Sequence, residues 1–231
     1  MSDFYKEFED STLDDLNHYL MGAADNGDLE KVQYLLTSTE LNCNANIKYQ
    51  NYWVLKRACT SGNIDLVKYL LTSTELKQHC EINADNDAAL CAACDYGHLH
   101  IVDYLLTSSE LNKHSKINTQ QGTTSPLSWA CSRGHLDVVK YLLTSPKLKE
   151  KSDLHFKDDA PFYEAYCSKN WDILQYFIFD LNIEKTKHID FCISVYSDSP
   201  VENWFRIRES QKELMIELDK KELNNKKKNK L

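Results

Sequence analysis

What most constrains this chain is that it repeats itself. The run Ala23-Ala24-Asp25-Asn26-Gly27-Asp28-Leu29 recurs as Ala58-Cys59-Thr60-Ser61-Gly62-Asn63-Ile64, and again around Gly97 and Gly134. Each of these four copies closes on Tyr-Leu-Leu-Thr-Ser. A worn fifth copy has Lys169 in the glycine place and ends Gln175-Tyr176-Phe177-Ile178. The anchors at 27, 62, 97, 134 and 169 stand 35, 35, 37 and 35 residues apart. A period in this range means stacked helical units that share one continuous core.

Each unit dictates its own shape. Leu66, Tyr69, Leu70 and Ser73 fall at helical spacing, as do Val138, Tyr141, Leu142 and Ser145. A shorter helix precedes each glycine, and its small residues (Ala58-Cys59, Ala93-Cys94, Ala130-Cys131) let neighbouring helices approach closely. The glycine suits a left-handed helix C-cap, where a Cβ would cost energy. Ser125-Pro126 and Ala160-Pro161 place proline near a first helical turn, where its missing N–H does no harm.

These residues resemble the ankyrin repeat. Ser125-Pro126-Leu127-Ser128-Trp129-Ala130-Cys131-Ser132-Arg133-Gly134-His135-Leu136-Asp137-Val138-Val139-Lys140-Tyr141-Leu142-Leu143 follows the family pattern T-P-L-H-x-A-A-x-x-G-H-x-x-V-V-x-x-L-L almost throughout, and Ile82-Asn83 and Ile117-Asn118 take its V-N place. The resemblance covers roughly residues 12–183. It implies an all-α solenoid of about five helix-turn-helix units with short hairpin loops. Relative to the family, the hairpin is shortened and a segment such as Thr72-Ser73-Thr74-Glu75-Leu76-Lys77-Gln78-His79 is added after the second helix. Tandem LLTSxEL copies of this kind resemble ankyrin proteins of microbes, large viruses and phages.

The array is expected over 1–183, with first and fifth units atypical. The fifth unit drops the added segment at Asp180-Leu181-Asn182-Ile183. Residues 187–196 can form a sixth first helix, and Ser199-Pro200 opens a longer helix to about Leu223. Val201, Trp204, Phe205, Leu214 and Leu218 would lie on one side of it. Terminal repeats must cover the last apolar face, so 184–223 is expected to be a helical cap and 224–231 a disordered basic tail.

Composition then excludes classes. Thirty-five acids against 27 Lys and Arg give −8, and residues 206–231 alone carry nine Lys or Arg and five acids, leaving the body at −12. An acidic body repels phosphate backbones and argues against nucleic acid as a partner, although the Lys226-Lys227-Lys228 tail is the place for that alternative. No apolar run reaches the length of about 20 residues that a membrane span needs. The acidic opening MSDFYKEFEDS lacks a signal-peptide layout, so a monomer in the cytoplasm with reduced thiols is expected.

No catalytic residue, metal or cofactor is expected. Cys91-x-x-Cys94 with His98 looks like half a zinc site, the alternative for the Cys/His content. Yet Cys94 is one member of the series Cys59, Cys94, Cys131 at a packed position, and no second ligand pair completes four. His98 and His135 follow the turn glycine, while His79 and His114 sit in the added segment. Such positions point to hydrogen bonds between neighbouring units. Asp85-Asn86-Asp87 and Asp158-Asp159 read as polar turns.

What remains is surface. In ankyrin proteins partners meet hairpin tips and the exposed, concave face of the first helices. By that resemblance the positions here are Tyr49, Tyr52 and Trp53, then Asp87, Asp95 and Tyr96, then Thr124 and Arg133, then Asp158, Asp159 and Tyr163. The expected function is binding another protein as adaptor, scaffold or inhibitor, with exposed aromatics as anchors and carboxylates selecting a basic partner.

Overall fold

The computed structural model describes residues 8, 10–119, 124–195 and 199–228, with 222–228 described by their backbone alone. Helices come in pairs. They are α1 (Leu13–Asp25) with α2 (Leu29–Thr37), α3 (Trp53–Ser61) with α4 (Ile64–Thr72), and α5 (Ala84–Asp95) with α6 (Leu99–Thr107). Next come α7 (Pro126–Arg133) with α8 (Leu136–Thr144), and α9 (Phe156–Cys167) with α10 (Trp171–Gln175), which runs into a π-helical turn at Tyr176–Asp180. Two more helices follow, α11 (Lys187–Val195) and α12 (Val201–Lys228). The first helices α1, α3, α5, α7, α9 and α11 stack in that order, and α4, α6, α8 and α10 stack behind them. The fold is an all-α repeat solenoid, as the period implies.

Equivalent positions share one environment. Leu20, Leu55, Leu90, Leu127 and Phe162 are buried, as are Ala23, Ala58, Ala93, Ala130 and Ala165. Leu35, Leu70, Leu105, Leu142 and Phe177 supply the second-helix side of the same core. Each unit needs its neighbour to bury both faces, so the core runs through the whole stack.

The junctions explain the glycines. The residues after Gly62, Gly97 and Gly134, and Asn170 after Lys169, stand at the N-cap of their second helices and reach back to the preceding unit. Asn63 Nδ2 donates to Gly27 O at 2.7 Å, His98 Nε2 to Thr60 O at 3.0 Å and His135 Nε2 to Asp95 O at 3.0 Å. Asn170 Nδ2 donates to Cys131 O at 2.7 Å. Gly62 sits at φ +78°, and a Cβ there would lie 2.6 Å from the His98 ring. Glycine therefore serves both the left-handed cap and the close approach of the next imidazole.

The added segments form one recurrent loop. Ser73 N–H caps α4 on Tyr69 O, its Oγ accepts from Glu75 N–H, and Cys80 N–H returns to Leu70 O at 2.9 Å. Ser108 and Ser115 repeat the pattern one unit on. His79 and His114 each donate to the loop's own serine carbonyl, Ser73 O and Ser108 O. These two histidines thus bond within their unit and correct the expectation of inter-unit bonds, because the loop has an orphan carbonyl of its own to satisfy. Asn83 and Asn118 supply the inter-unit link instead, donating to His114 O and Lys151 O.

The connections into the first helices are not β-hairpins. Gln50-Asn51-Tyr52, Asp85-Asn86-Asp87 and Lys157-Asp158-Asp159 each form three consecutive left-handed residues, with φ from +44° to +63°. A single left-handed turn replaces the hairpin and admits the helix in the shortened space. The fourth unit's counterpart, at 120–123, lies outside the described residues.

At the C-terminal end, Val201 and Phe205 are buried and Trp204 meets Trp171 edge-on at 6.2 Å. Buried Arg208 donates to Ile178 O in the π-helical turn and to Ile183 O just beyond it. Lys185 lies between Asp190 at 2.6 Å and Glu202 at 2.8 Å. The cap stops there. Leu214 and Leu218 are exposed, correcting their expected place against the array, because α12 has left the last unit before it reaches them. The helix also continues past Leu223 to Lys228.

Candidate functional site

The first helices present one surface built from equivalent positions. Consecutive helices touch across it, through Arg57 to Asp25 at 3.2 Å, Arg133 to Asp95 at 2.7 Å and Ser132 to Ser168 at 3.4 Å. Tyr96 and Tyr163 stand on this surface and are 53% and 45% exposed. Tyr96 stacks beside His98, ring centroids 6.4 Å apart. Asp158 is also exposed, 3.7 Å from His188.

Other expected members are half-buried. Trp53 lies beneath two cations, with Lys56 Nζ 5.0 Å and the Arg57 guanidinium 5.4 Å from its ring. Tyr49 donates to Asp14 at 3.5 Å and packs beside His18. Thr124 is half-buried, next to the undescribed 120–123.

Three of the eleven expected positions belong to the interior. Tyr52, expected as an exposed anchor, is buried at φ +62°, and its hydroxyl accepts from Gln78 Nε2 at 3.3 Å. Burial, with Glu81 nearby, pushes that phenol up. Asp87, expected as a partner-selecting carboxylate, is 2% exposed and accepts the Lys116 N–H at 3.0 Å and a bond from Asn83. Asp159 is buried too, 2.5 Å from His155 Nδ1 and bonded by Thr186 Oγ1. A buried carboxylate needs such donors, and having them it cannot offer its charge to a partner. The period could have shown this, since Asn17, Tyr52, Asp87 and Asp159 occupy one position. Buried Asn17 already accepts the Asn46 N–H there, at 2.7 Å.

Asp95 is a partial correction. It stands on the surface, but Arg133 engages it, and that bond holds the guanidinium above its ordinary value. The surface therefore carries aromatic groups and internally paired charges rather than free carboxylates. Sequence reasoning missed Lys56 and Arg57 beside Trp53, and Phe191 and Val195 on α11, which are 68% and 55% exposed. The sequence marks 187–196 as a sixth first helix, and its packing on α9 extends the first-helix face to Phe191 and Val195.

The repeat cysteines are packing, whereas Cys167 is exposed. Cys59, Cys94 and Cys131 are fully buried, and burial pushes all three thiols up. Burial also pushes Cys91 up to about 12. Thiols held protonated this way are poor nucleophiles and metal ligands. Among the described residues no group of three or more His, Cys, Asp or Glu could hold a metal, and no helix is long and apolar enough to cross a membrane.

Comparison with protein families gives two matches. A model for ankyrin repeats in three copies matches residues 20–117, and one for a single ankyrin repeat matches 124–151. No curated protein matches the chain.

Proposed function

The chain belongs to the ankyrin-repeat family, whose repeats are generally non-enzymatic protein–protein interaction modules, and we propose that it binds one protein partner through the exposed face of its first helices. The observation that carries this is the run of exposed aromatics Tyr96, Tyr163 and Phe191, with half-buried Trp53 at the N-terminal end. Large rigid side chains standing in water on a fixed scaffold lose little entropy on binding and bury much area. Because Asp87 and Asp159 are interior and Asp95 is paired, selection of a basic partner is not part of the proposal. Adaptor, scaffold and inhibitor use such a surface in the same way, as does a viral or pathogen protein that sequesters a host factor. All eight cysteines are free thiols, which suits the reducing cytoplasm.

Affinity capture from the native source, with the wild-type chain beside Tyr96→Ala/Tyr163→Ala, tests the reading. A partner held by the wild type should lose about 30-fold or more in affinity to the double variant if either tyrosine is a hot spot. Equal capture by both would move the site off this face.

A further inference from the structure

The added loops leave three equivalent grooves in series, each between the loop of one unit and the loop of the next. Thr37, Asn44 and Asn46 face Glu75, Lys77 and Gln78 across the first, which has a volume of about 270 Å³. Thr72, His79 and Glu81 face Glu110, Asn112 and Lys113 across the second, of about 380 Å³. Thr107, His114 and Lys116 face Lys147, Lys149 and Glu150 across the third, of about 350 Å³. The loops share one backbone pattern, so the side chains decide what each groove can hold.

The third groove differs from the other two in charge. Lys116 stands where they have Asn46 and Glu81, and Lys147 where they have Glu75 and Glu110. Three lysines and one glutamate line it, against one lysine and two glutamates in the second groove and one of each in the first. Its glutamate, Glu150, is engaged by Asn118 Nδ2 at 2.8 Å, and Lys147 by Asp103 at 3.0 Å. Lys116 and Lys149 come from facing walls, are exposed, and form no ion pair among the described residues. A hydroxyl is also new here, since Ser115 takes the place of Ala45 and Cys80. Ser115 lines the groove and is 7% exposed, and its Oγ has no hydrogen-bond partner. A buried hydroxyl left without a partner costs stability, and an acceptor in the groove would recover that cost.

We infer that this third groove binds a phosphate group, either the free ion or a phosphate monoester. Lysines are compact point charges with three donors each, which suits a tetrahedral dianion approached from several sides. No arginine lines the groove to fork around a planar carboxylate. Lys116 Nζ and Lys149 Nζ take phosphate oxygens from the two walls, and Ser115 Oγ donates to a third. His114 keeps its Nε2 on Ser108 O and remains part of the wall. The groove uses no residue of the first-helix face, so this inference stands independently of the protein partner proposed there.

Amide shifts of the isotope-labelled full chain, titrated with inorganic phosphate near neutral pH at constant ionic strength, test this. Saturable shifts are expected at residues 114–117 and 147–150 and not in the second groove. Their midpoint should lie at about 1 mM or below. Lys116→Glu/Lys149→Glu should weaken binding about tenfold or more. Its circular dichroism and melting temperature should be unchanged, because both side chains are exposed. Ser115→Ala should weaken binding about threefold while the melting temperature stays level or rises, a pairing that a merely structural serine would not give. A blocked phosphoserine peptide separates the sources. Tighter binding of the peptide than of inorganic phosphate assigns the groove to a phosphorylated partner, and the reverse assigns it to the free ion. Shifts that fail to saturate by about 20 mM would overturn the inference, as would shifts that survive the double charge reversal or that acetate reproduces at equal concentration.

Discussion

At the residue scale, the repeat is held by a few atoms whose roles a substitution can separate. Gly97 is at φ +73° and lies against the His135 ring, so alanine there meets two costs. The left-handed backbone costs an alanine about 1–2 kcal/mol, and crowding adds to it. A urea double-mutant cycle divides them. His135→Ala should recover the crowding part of Gly97→Ala and leave the conformational part, while a purely additive pair would show that the ring yields freely. Asp87 makes a sharper case. Asp87→Ala removes the acceptor of Lys116 N–H and should cost about 1–3 kcal/mol of stability. Partner affinity of the folded protein should be unchanged. A weakened complex with intact stability would return Asp87 to the binding face. Its burial was hard to read because an aspartate among Asp85 and Asn86 looks like a solvated turn. The left-handed triplet turns it inward.

Among the elements, the helix pairs were legible because glycine, the N-cap that follows and the Tyr-Leu-Leu-Thr-Ser closure recur in register. The connections were not. A shortened link between second and first helices reads as a clipped hairpin, yet three left-handed residues do the same work in less chain. Asn51 lies in the middle of the first such triplet at φ +58° with its side chain exposed. Asparagine tolerates this region and a β-branched residue does not. Asn51→Val should therefore lower stability by about 1–2 kcal/mol, whereas Asn51→Gly should be close to neutral. Chemical denaturation measures both, and a neutral valine would mean the triplet relaxes without cost. The loops after the second helices were visible as an insertion, but their internal bonding was not, since histidines at a fixed repeat position fit a bond within the unit as well as one between units.

For the whole molecule, stability is a chain of neighbour contacts, so the two ends differ from the middle. The fifth unit lacks the added segment, ends in a π-helical turn and leaves Ile178 O and Ile183 O to Arg208. Trp171 is closed off by Trp204, and Val201 and Phe205 bury against the same end. The position of this cap followed from the fading of the repeat. Its extent did not, because the apolar spacing of α12 reads alike whether those residues rest on the array or stand in water. Removing residues 184–231 should expose the end of the core and leave α9 and α10 without their last partners, α11 and α12. In hydrogen exchange the amides of those two helices should lose protection by tenfold or more, about 1.4 kcal/mol, while α3 to α6 keep theirs. That graded loss is what nearest-neighbour stacking requires. Uniform loss along the stack would show one global cooperative unit, and unchanged protection in α9 and α10 would show that α11 and the proximal part of α12 rest on the array without holding it.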